Sequence, residues 1–345
     1  MVVENLSMPV ISVQREPTAI FLDRLTRQIL DERYLITREE ACRIAEIPES
    51  DALLLFHHAH KIRQHFRSDT IGLCSIVNAK SGACSEDCSF CAQSKFFKTA
   101  SPAYGLMKYE DVLQYARQAE QDGAEHIGIV ISGYGIESDE ELRAIGEICK
   151  RLKQEVSIEV HASVGIISRE YVQYLKDCGV TMINHNLETS ERFYPEVCTT
   201  HTWQERMETL KHVQECGMKM CTGGIFGMGE TIEDRLDLAF TLRELNPDTV
   251  PLNFLHAIDG TPLENTEPLP PVQILMIIAL FRFILPTAEI KICGGREKNL
   301  RDLQSMIFFA GADSMMIGNY LTTAGRNPEL DWQMLKDLGL NWARK

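Results

Sequence analysis

The stretch Gln121-DGAEHIGIV passes from the end of a helical pattern, through a small-residue turn, into an apolar run that begins at His126. The same pattern recurs in three further stretches, Lys176-DCGVTMINHN, Gln214-ECGMKMCTGG and Phe309-AGADSMMIG. In each stretch a glycine precedes the apolar run, and glycine accepts the left-handed backbone that ends a helix. The repeat therefore predicts helices that lead directly into strands.

Outward from these stretches, amphipathic helical patterns alternate with short apolar runs. The candidate strands are Gly72–Ala79, His126–Ser132, Val156–Ala162, Thr181–Asn186, Lys219–Ile225, Thr249–Leu255, Glu289–Cys293 and Ser314–Gly318. No hairpin signal joins neighbouring runs, and the G-x-G-x-x-G loop typical of a doubly wound sheet is missing. The alternation predicts an α/β protein with a parallel (β/α)8 TIM-type barrel.

Helical patterns also precede the first strand, around Ala19–Arg33, from Thr37 onward, and from Ser50 to Arg67. Thr37 and Glu40 have the spacing of a capping box. We expect the residues up to about 17 to be frayed. The pattern predicts an N-terminal helical extension over residues 1–70 and a barrel domain over residues 71–345.

Composition limits the partners and the location of the chain. The 345 residues carry a net charge of −14, which argues against a nucleic-acid partner. Neither a run of about eighteen apolar residues nor a basic-then-apolar N-terminus is present, so we expect no membrane span and no secretory signal. Eleven cysteines in such a chain predict reduced thiols, several of them metal-bound, in an anaerobic cytoplasm.

The segment Lys80-SGACSEDCSFCAQS contains Cys84, Cys88 and Cys91 in a Cys-x3-Cys-x2-Cys spacing. Three thiolates so close together can hold three irons of a four-iron cube and leave the fourth iron open. An open iron can chelate S-adenosylmethionine, whose reductive cleavage gives a 5′-deoxyadenosyl radical. A zinc knot and a chance cluster are the alternatives. Zinc usually takes four ligands in two separated pairs, so the spacing favours the iron–sulfur cluster.

Alternate residues of each strand point into a barrel, and here that interior is polar. The predicted inward residues are Cys74, Ile76, Asn78, Lys80, Glu159, His161, Ser163, Asn184, Asn186, Glu188, Cys221, Gly223, Asn253, Lys291 and Cys293. Polar side chains are costly to bury unless they bind something. The inward cysteines Cys74, Cys221 and Cys293 therefore predict a second metal site. The remaining cysteines fall in helices, helix ends or a loop and are interpreted as structural: Cys42, Cys149, Cys178, Cys198 and Cys216.

Taken together, these motifs resemble the biotin synthase family of radical S-adenosylmethionine enzymes, which insert sulfur into dethiobiotin. The resemblance runs from about Arg63 to Leu340. Beyond the cysteine segment it includes the runs Asn184-HNLETS, Thr202-WQERMETL, Cys221-TGGIFGMGET, Val250-PLNFL, Gly260-TPL and Gly294-GREKNL. It implies a cytoplasmic homodimer of (β/α)8 barrels with two iron–sulfur clusters and a flavodoxin or ferredoxin-type reductant.

The resemblance also implies roles for single residues. Cys84, Cys88 and Cys91 match the ligands of the radical-generating 4Fe–4S cluster. The residues that match the S-adenosylmethionine site are Asn186, Glu188, Arg206, Gly223 and Gly224. Glu188 replaces a commoner Asp at the ribose, and Arg206 matches the partner of the methionyl carboxylate. The residues that match the dethiobiotin site are Lys80, Asn184, Asn253, and Thr322 or Thr323.

The chain departs from the better-known members at the auxiliary cluster, the sulfur donor. Those members hold a 2Fe–2S cluster with three strand cysteines and one arginine. Here Gly128 and His161 replace two of the cysteines, Cys221 keeps the third, and Lys291 replaces the arginine.

Two cysteines compensate for these losses. Cys74 and Cys293 stand where that pattern has serine. This resembles variant members from anaerobes, and three thiolates suit a four-iron cube with an extra sulfide. His161 is either a fourth ligand or a hydrogen-bonding neighbour, and both interpretations stay open.

Two other function classes compete with sulfur insertion. The first is a related radical enzyme of hydrogenase-maturation or methylornithine-forming type. The Asn184-His185-Asn186 run and the Lys80-Ser81-Gly82 approach to the cysteines argue against it. The second is a non-catalytic iron–sulfur carrier, which needs no polar barrel interior.

Overall fold

A computed structural model describes residues 16–342. The predicted frayed N-terminus lies almost entirely outside the described residues. The helices of the described chain are α1 (Thr18–Glu32), α2 (Arg38–Ala45), α3 (Ala52–Arg67), α4 (Tyr109–Gln121), α5 (Asp139–Glu155), α6 (Arg169–Asp177), α7 (Tyr194–Val197), α8 (Trp203–Glu215), α9 (Ile232–Leu245), α10 (Pro271–Ile284), α11 (Arg296–Leu300) and α12 (Pro328–Asp337). Short 3₁₀ turns cover Glu49–Asp51 and Arg301–Ile307.

The strands form one parallel sheet that closes on itself. They are β1 (Thr70–Lys80), β2 (His126–Ile131), β3 (Glu159–Ser163), β4 (Met182–Asn184), β5 (Lys219–Cys221), β6 (Gly224–Phe226), β7 (Thr249–Phe254), β8 (Glu289–Ile292), β9 (Ser314–Met316) and β10 (Asn341–Trp342). The order runs from β1 to β9 around the barrel, and β9 pairs with β1. The short β10 pairs with the first residues of β1. The predicted (β/α)8 barrel is therefore confirmed.

The fifth predicted strand is split into β5 and β6, and proline explains the split. Pro251 lies in the middle of β7 and has no N–H for the ladder. Below it β5 pairs with β7 only at Cys221 and Thr249, and above it β6 resumes the pairing. Gly223 lies at the gap, where a Cβ would meet the Pro251 carbonyl oxygen at 2.0 Å. The two strand segments thus occupy one barrel position.

The N-terminal helices cover an otherwise exposed helix of the barrel. The predicted capping box is confirmed, because Thr37 Oγ1 accepts from the Glu40 amide while Glu40 accepts from the Thr37 amide. Helices α2 and α3 pack on α10. Helix α10 is apolar on nearly all sides, as expected for a helix that lies between two layers. No helix among residues 16–342 is long and apolar enough to span a membrane.

One charged residue of α10 is completely buried. The Arg282 guanidinium donates to the carbonyl oxygens of Gly311, Leu285, Pro286 and Ala288 and pairs with Asp313 at 2.6 Å. Asp313 also accepts from the Ile290 amide in β8. This pair therefore fastens α10 and its following loop to the barrel wall.

We expect Asp313→Ala to destabilise the protein by about 3–5 kcal/mol, because it leaves a buried guanidinium without a counter-charge. The measurement is the free energy of unfolding from urea denaturation. Asp23→Ala is the matched control, since its ion pair with Arg27 has side chains 49% and 70% exposed and should contribute under about 1 kcal/mol. Equal losses in the two variants would contradict this assignment.

Candidate active site

The carboxyl ends of the strands surround a cavity of about 320 Å³. Its lining includes Cys91, Gln93, Ser163, Asn186, Glu188, Asn253, Tyr320, Leu321, Thr322 and Thr323. A smaller chamber of about 160 Å³ lies within the barrel, and Ser163, Asn186, Asn253 and Leu321 line both spaces. The two cavities therefore adjoin along the barrel interior, at the end where barrel enzymes carry their active sites.

The loop after β1 carries the cysteine triplet. The Cys84 amide donates to Gln93 O at 3.0 Å, and Lys95 N donates back to Cys84 O at 2.9 Å. The backbone amides of Glu86 and Gly133 oppose the rise that burial causes in the pKa of Cys84. Burial raises the pKa of Cys91 to about 11, against the effect of the Gln93 amide. Amides near the sulfurs suit thiolates bound to a metal cluster, so the triplet fits the iron–sulfur assignment.

Beside this loop, Arg206 and Glu188 form a buried pair at 3.6 Å. Arg206 Nη1 also donates to Asn186 O at 2.9 Å, and Arg206 Nε donates to Tyr194 Oη at 2.7 Å. Burial raises the pKa of Glu188, while the charge of Arg206 opposes that shift. Glu188 Oε2 is buried without a protein partner. That free carboxylate oxygen, at the wall of the cavity, suits a ligand that donates hydroxyl hydrogen bonds.

The backbone at Glu188 is strained, with φ at +67°. This non-glycine residue is held there because its carbonyl accepts from Ile225 N at 2.8 Å and crowds Gly224. A Cβ on Gly224 would lie 2.4 Å from that oxygen. Gly223 and Gly224 thus let β6 pack closely against its neighbours. Strain of this kind concentrates at functional sites.

The two asparagines predicted at the substrate site differ in whether their side-chain amides have an atom without a hydrogen-bond partner. Asn184 Oδ1 is buried without a partner, on a wall of the inner chamber. Asn253 is bound on both sides: its Nδ2 donates to Gly224 O at 3.2 Å, and its Oδ1 accepts from Gly294 N at 2.9 Å. Asn184 therefore offers an open acceptor, whereas Asn253 holds β6 and the end of β8 in place while facing both cavities.

The inner chamber brings together Cys74, Cys221 and Cys293, all buried. Interaction between the thiols of Cys74 and Cys293 lowers the pKa of Cys74 and raises that of Cys293. Burial raises the pKa of Cys221 to about 12. All three thiols face one cation, Lys291. Three thiols and one ammonium group around an inner space fit a metal–sulfur cluster.

Lys291 keeps its charge despite burial. Desolvation alone would lower the pKa of Lys291, but attraction to Cys74, Cys221 and Glu289 raises it overall. Its Nζ lies 3.1 Å from His126 Nε2. Burial and the Lys291 charge hold the pKa of His126 well below its ordinary value, so the ring is neutral and its Nε2 accepts from the lysine. His126 was missed from the sequence, although it opens β2 next to Cys74 in the register.

His161 lies beneath the cysteines rather than among them. Its ring stacks on His126 with centroids 4.0 Å apart, and its Nε2 lies 3.4 Å from Glu159. It lines a separate cavity of about 330 Å³ at the opposite end of the barrel from the triplet. Of the two interpretations left open by the sequence, this position favours a neighbour of the chamber over a ligand.

Lys80 is not brought to either cavity. A bulge shifts the β1–β2 register between Asn78 and Lys80, so the alternation that orients Cys74 and Ile76 inward does not extend to Lys80. Lys80 Nζ instead pairs with Glu137 at 2.9 Å and Glu141 at 2.8 Å. The expectation that Lys80 points inward is therefore wrong. Thr322 and Thr323, by contrast, lie on the wall of the upper cavity.

The structure adds several lining residues that the sequence analysis missed: Phe90, Gln93, Leu255, His256, Ile258 and Tyr320. Gln93 belongs to the cysteine segment, and its Oε1 accepts from Ser81 Oγ at 3.0 Å. Its place inside that segment was the available signal. His256 and Ile258 follow β7 in the loop before Gly260, where the end of a barrel strand was the only signal.

The loop after β1 carries a cysteine triplet, and the barrel below it has buried polar groups that lack a protein partner. These features define a radical S-adenosylmethionine enzyme. The Radical SAM superfamily model matches residues 79–242, and the model for the Biotin and Thiamin Synthesis associated domain matches residues 251–341. The first implies a 4Fe–4S cluster and S-adenosylmethionine as cofactors. The residues that line the upper cavity lie within these two regions.

Curated relatives identify the family. The chain is 51% identical over 322 residues to a biotin synthase of Geotalea daltonii, which covers 93% of this chain and 98% of the relative. It is 49% identical over 318 residues to a biotin synthase of Heliobacterium modesticaldum, covering 92% and 97%. The chain belongs to the biotin synthase family.

Solved structures confirm the fold. Methylornithine synthase superposes with a TM-score of 0.82 at 18% identity, covering 93% of this chain and 97% of that one. An FeFe-hydrogenase maturase from Carboxydothermus hydrogenoformans superposes with a TM-score of 0.78 at 19% identity, covering 93% and 79%. At such low identity these likenesses concern the barrel alone.

We expect Glu188→Ala to weaken S-adenosylmethionine binding by roughly tenfold to a hundredfold, because a buried acceptor contributes on the order of 1–3 kcal/mol. Equilibrium dialysis on the cluster-loaded protein measures the affinity. Glu188→Asp should keep most of it, since a carboxylate remains, and Glu191→Ala is the exposed control. Unchanged affinity in Glu188→Ala would show that the free Oε2 contacts no ligand.

Proposed function

We propose that this member of the biotin synthase family inserts sulfur into dethiobiotin, with the sulfur supplied by an auxiliary iron–sulfur cluster held by Cys74, Cys221 and Cys293. The observation that carries the proposal is the juxtaposition of two cavities. The upper one is bounded by the cysteine loop and Glu188, the inner one by the three strand thiols, and Asn186 and Asn253 line both. A substrate between them lies close to both sets of cysteines.

When bound, the radical cluster with S-adenosylmethionine supplies a 5′-deoxyadenosyl radical, and the auxiliary cluster supplies sulfide. The chain itself positions the reactants. Arg206 offers its charge beside the carboxylate of Glu188, and we assign it the methionyl carboxylate, which a planar guanidinium binds well. Glu188 and Asn186 take the ribose. Proximity of this kind can lower a reaction barrier by several kcal/mol.

Dethiobiotin is assigned to the junction of the cavities. The free Asn184 Oδ1 is suited to accept an N–H of the ureido ring. Thr322 and Thr323, at the mouth of the upper cavity, are suited to the carboxylate tail. The proposal leaves Lys80 out of this group, because its ammonium already pairs with Glu137 and Glu141.

For the auxiliary cluster we propose a four-iron cube with an extra sulfide. Three thiolates leave one iron without a cysteine ligand, which is where an additional sulfide binds. The Lys291 ammonium, fully enclosed with these thiols, offsets part of their negative charge. The position of His161 under His126 supports a role in holding that ring, rather than in binding iron.

The proposed electron donor is a flavodoxin or ferredoxin-type protein, and the proposed assembly is a homodimer. Lys95, Phe96 and Lys98 are exposed directly after the cysteine loop. They form a small basic and apolar patch on a chain whose net charge is −14. Such a patch favours an acidic carrier close to the radical cluster.

We expect Asn184→Ala to raise the KM for dethiobiotin roughly tenfold to a hundredfold, since a buried hydrogen bond of about 1–3 kcal/mol is lost. Iron content and S-adenosylmethionine affinity should not change. Asn265→Ala, an exposed loop substitution, is the control. A variant that loses iron while its KM stays normal would place Asn184 at a cluster instead of the substrate.

The decisive experiment removes the second set of cysteines. The variant with Cys74, Cys221 and Cys293 all changed to Ala should lose roughly four irons per chain and form no biotin, yet still cleave S-adenosylmethionine to 5′-deoxyadenosine. Cys84→Ala is the opposite control, because it should abolish the cleavage itself. Iron and sulfide analysis with quantification of 5′-deoxyadenosine and biotin, all under anaerobic conditions, separates the two. Biotin formation by the triple variant would overturn the sulfur-donor assignment.

A further inference from the structure

The three sulfurs of the triplet have unequal surroundings. Cys84 and Cys91 are half-buried, whereas Cys88 is buried. For the sulfur of Cys88 the nearby hydrogen-bonding group is a side chain. Cys88 Sγ lies 3.7 Å from Cys198 Sγ, and both residues are buried. The thiol of Cys198 thus lies beside the sulfur of the most buried ligand of the triplet.

The Cys198 thiol has few hydrogen-bond acceptors within reach. Asp87 Oδ1 is 3.3 Å away, but it already accepts from the amides of Thr199 at 2.9 Å and Thr200 at 3.2 Å. The Thr200 hydroxyl donates to the same oxygen at 3.1 Å, so Cys198 is one of four donors around it. A Cys88 that binds iron is a thiolate and cannot donate. A hydrogen bond between the two sulfurs therefore runs from Cys198 to Cys88, in competition with Asp87 Oδ1.

A rigid network fixes the position of Cys198. His201 Nδ1 lies 3.3 Å from Cys198 Sγ and 2.7 Å from Glu86 Oε2. Arg206 Nε lies 3.2 Å from His201 Nε2 and can only donate, so the ring proton lies on Nδ1, where the Glu86 carboxylate accepts it. The same Arg206 pairs with Glu188. Cys198 is therefore held from one side by the cluster loop and from the other by the nucleoside site.

We propose that Cys198 is a positioning residue for the radical cluster, donating its S–H to the iron-bound sulfur of Cys88. The inference rests on the assignment of Cys84, Cys88 and Cys91 as cluster ligands. A hydrogen bond to a ligand sulfur stabilises the more negative, reduced cluster and so raises its reduction potential. The sequence analysis interpreted Cys198 as structural, because nothing in the chain links it to a motif 110 residues away.

The test is the midpoint potential of the radical cluster, measured by electron paramagnetic resonance during anaerobic titration of the cluster-loaded protein. Cys198→Ala should shift the ratio of oxidised to reduced cluster about threefold to tenfold towards the oxidised form. That corresponds to about 30–60 mV in the negative direction, at 59 mV per tenfold for one electron. Cys198→Ser keeps an O–H donor and should recover most of the shift.

Cys216→Ala is the matched control. Cys216 is another buried cysteine at a helix end, and its thiol donates to Arg169 O at 3.6 Å, away from the triplet. Its variant should leave the potential unchanged. A potential in Cys198→Ala equal to that of the control, or shifted in the positive direction, would overturn the proposal.

If the proposed function were wrong, the experiment would give a different result from the one expected if only the Cys198 proposal were wrong. If the triplet did not hold the radical cluster, the unmutated protein would show no 4Fe–4S signal that depends on Cys84. The Cys198 comparison instead concerns a cluster that is present in every variant, with iron content measured alongside. A Cys198→Ala variant that loses the cluster altogether, while Cys198→Ser keeps both cluster and potential, still assigns the donor role to this position. Loss of the cluster in both variants would overturn it.

Discussion

Closure of the barrel between β1 and β9 is the constraint on which the inner site depends. Gly72, Leu73 and Cys74 pair with Ser314, Met315 and Met316, so the first strand of the sheet meets the last. Cys293 follows β8 and lies one strand away from that seam. Two cysteines more than two hundred residues apart in the chain thereby line the same chamber. In an open sheet they would lie at opposite edges.

The sequence predicted the elements and much of the inner chamber because both follow from local periodicity. Alternation of side chains along a strand is sufficient to orient Cys74, Cys221 and Cys293, once a barrel is assumed. It fails where the backbone departs from a regular ladder. The bulge before Lys80 reverses its direction, and Pro251 in β7 divides the fifth strand. Neither effect can be inferred from hydrophobic pattern alone.

Long-range polar contacts also could not be predicted from the sequence. His126 was counted only as the start of a strand, yet its neutral ring joins Lys291 to His161. His201 and Cys198 belong to a loop before α8 with no periodic signal, and their partners Glu86 and Cys88 lie in another loop. Such networks depend on how loops are docked, which is set by tertiary packing. The matched motifs identified the cysteines, but not the groups that surround them.

The likeness to methylornithine synthase shows that the barrel fold alone does not determine the function. A TM-score of 0.82 at 18% identity means that similar strands and helices are built from mostly different residues. What distinguishes this chain is the wall of the inner chamber. At Gly128, where the resemblance places a cysteine in better-known members of the family, a Cβ would lie 3.2 Å from Ile76 and 3.5 Å from Asn184 Nδ2.

The Cβ of a side chain at position 128 would therefore be tight against Ile76 and in van der Waals contact with the amide of Asn184. With glycine there, Asn184 keeps its place and its free Oδ1. The thiols are supplied instead by β1 and the end of β8, on the side of the chamber where Lys291 lies. Lysine is a compact point charge, whereas arginine is a wide planar fork, so it leaves space beside the three sulfurs. The altered cysteine positions and the lysine thus leave the free Asn184 Oδ1 on the same chamber as the thiols, because Cys221 of β5 pairs with Asn184 of β4 in the strand register.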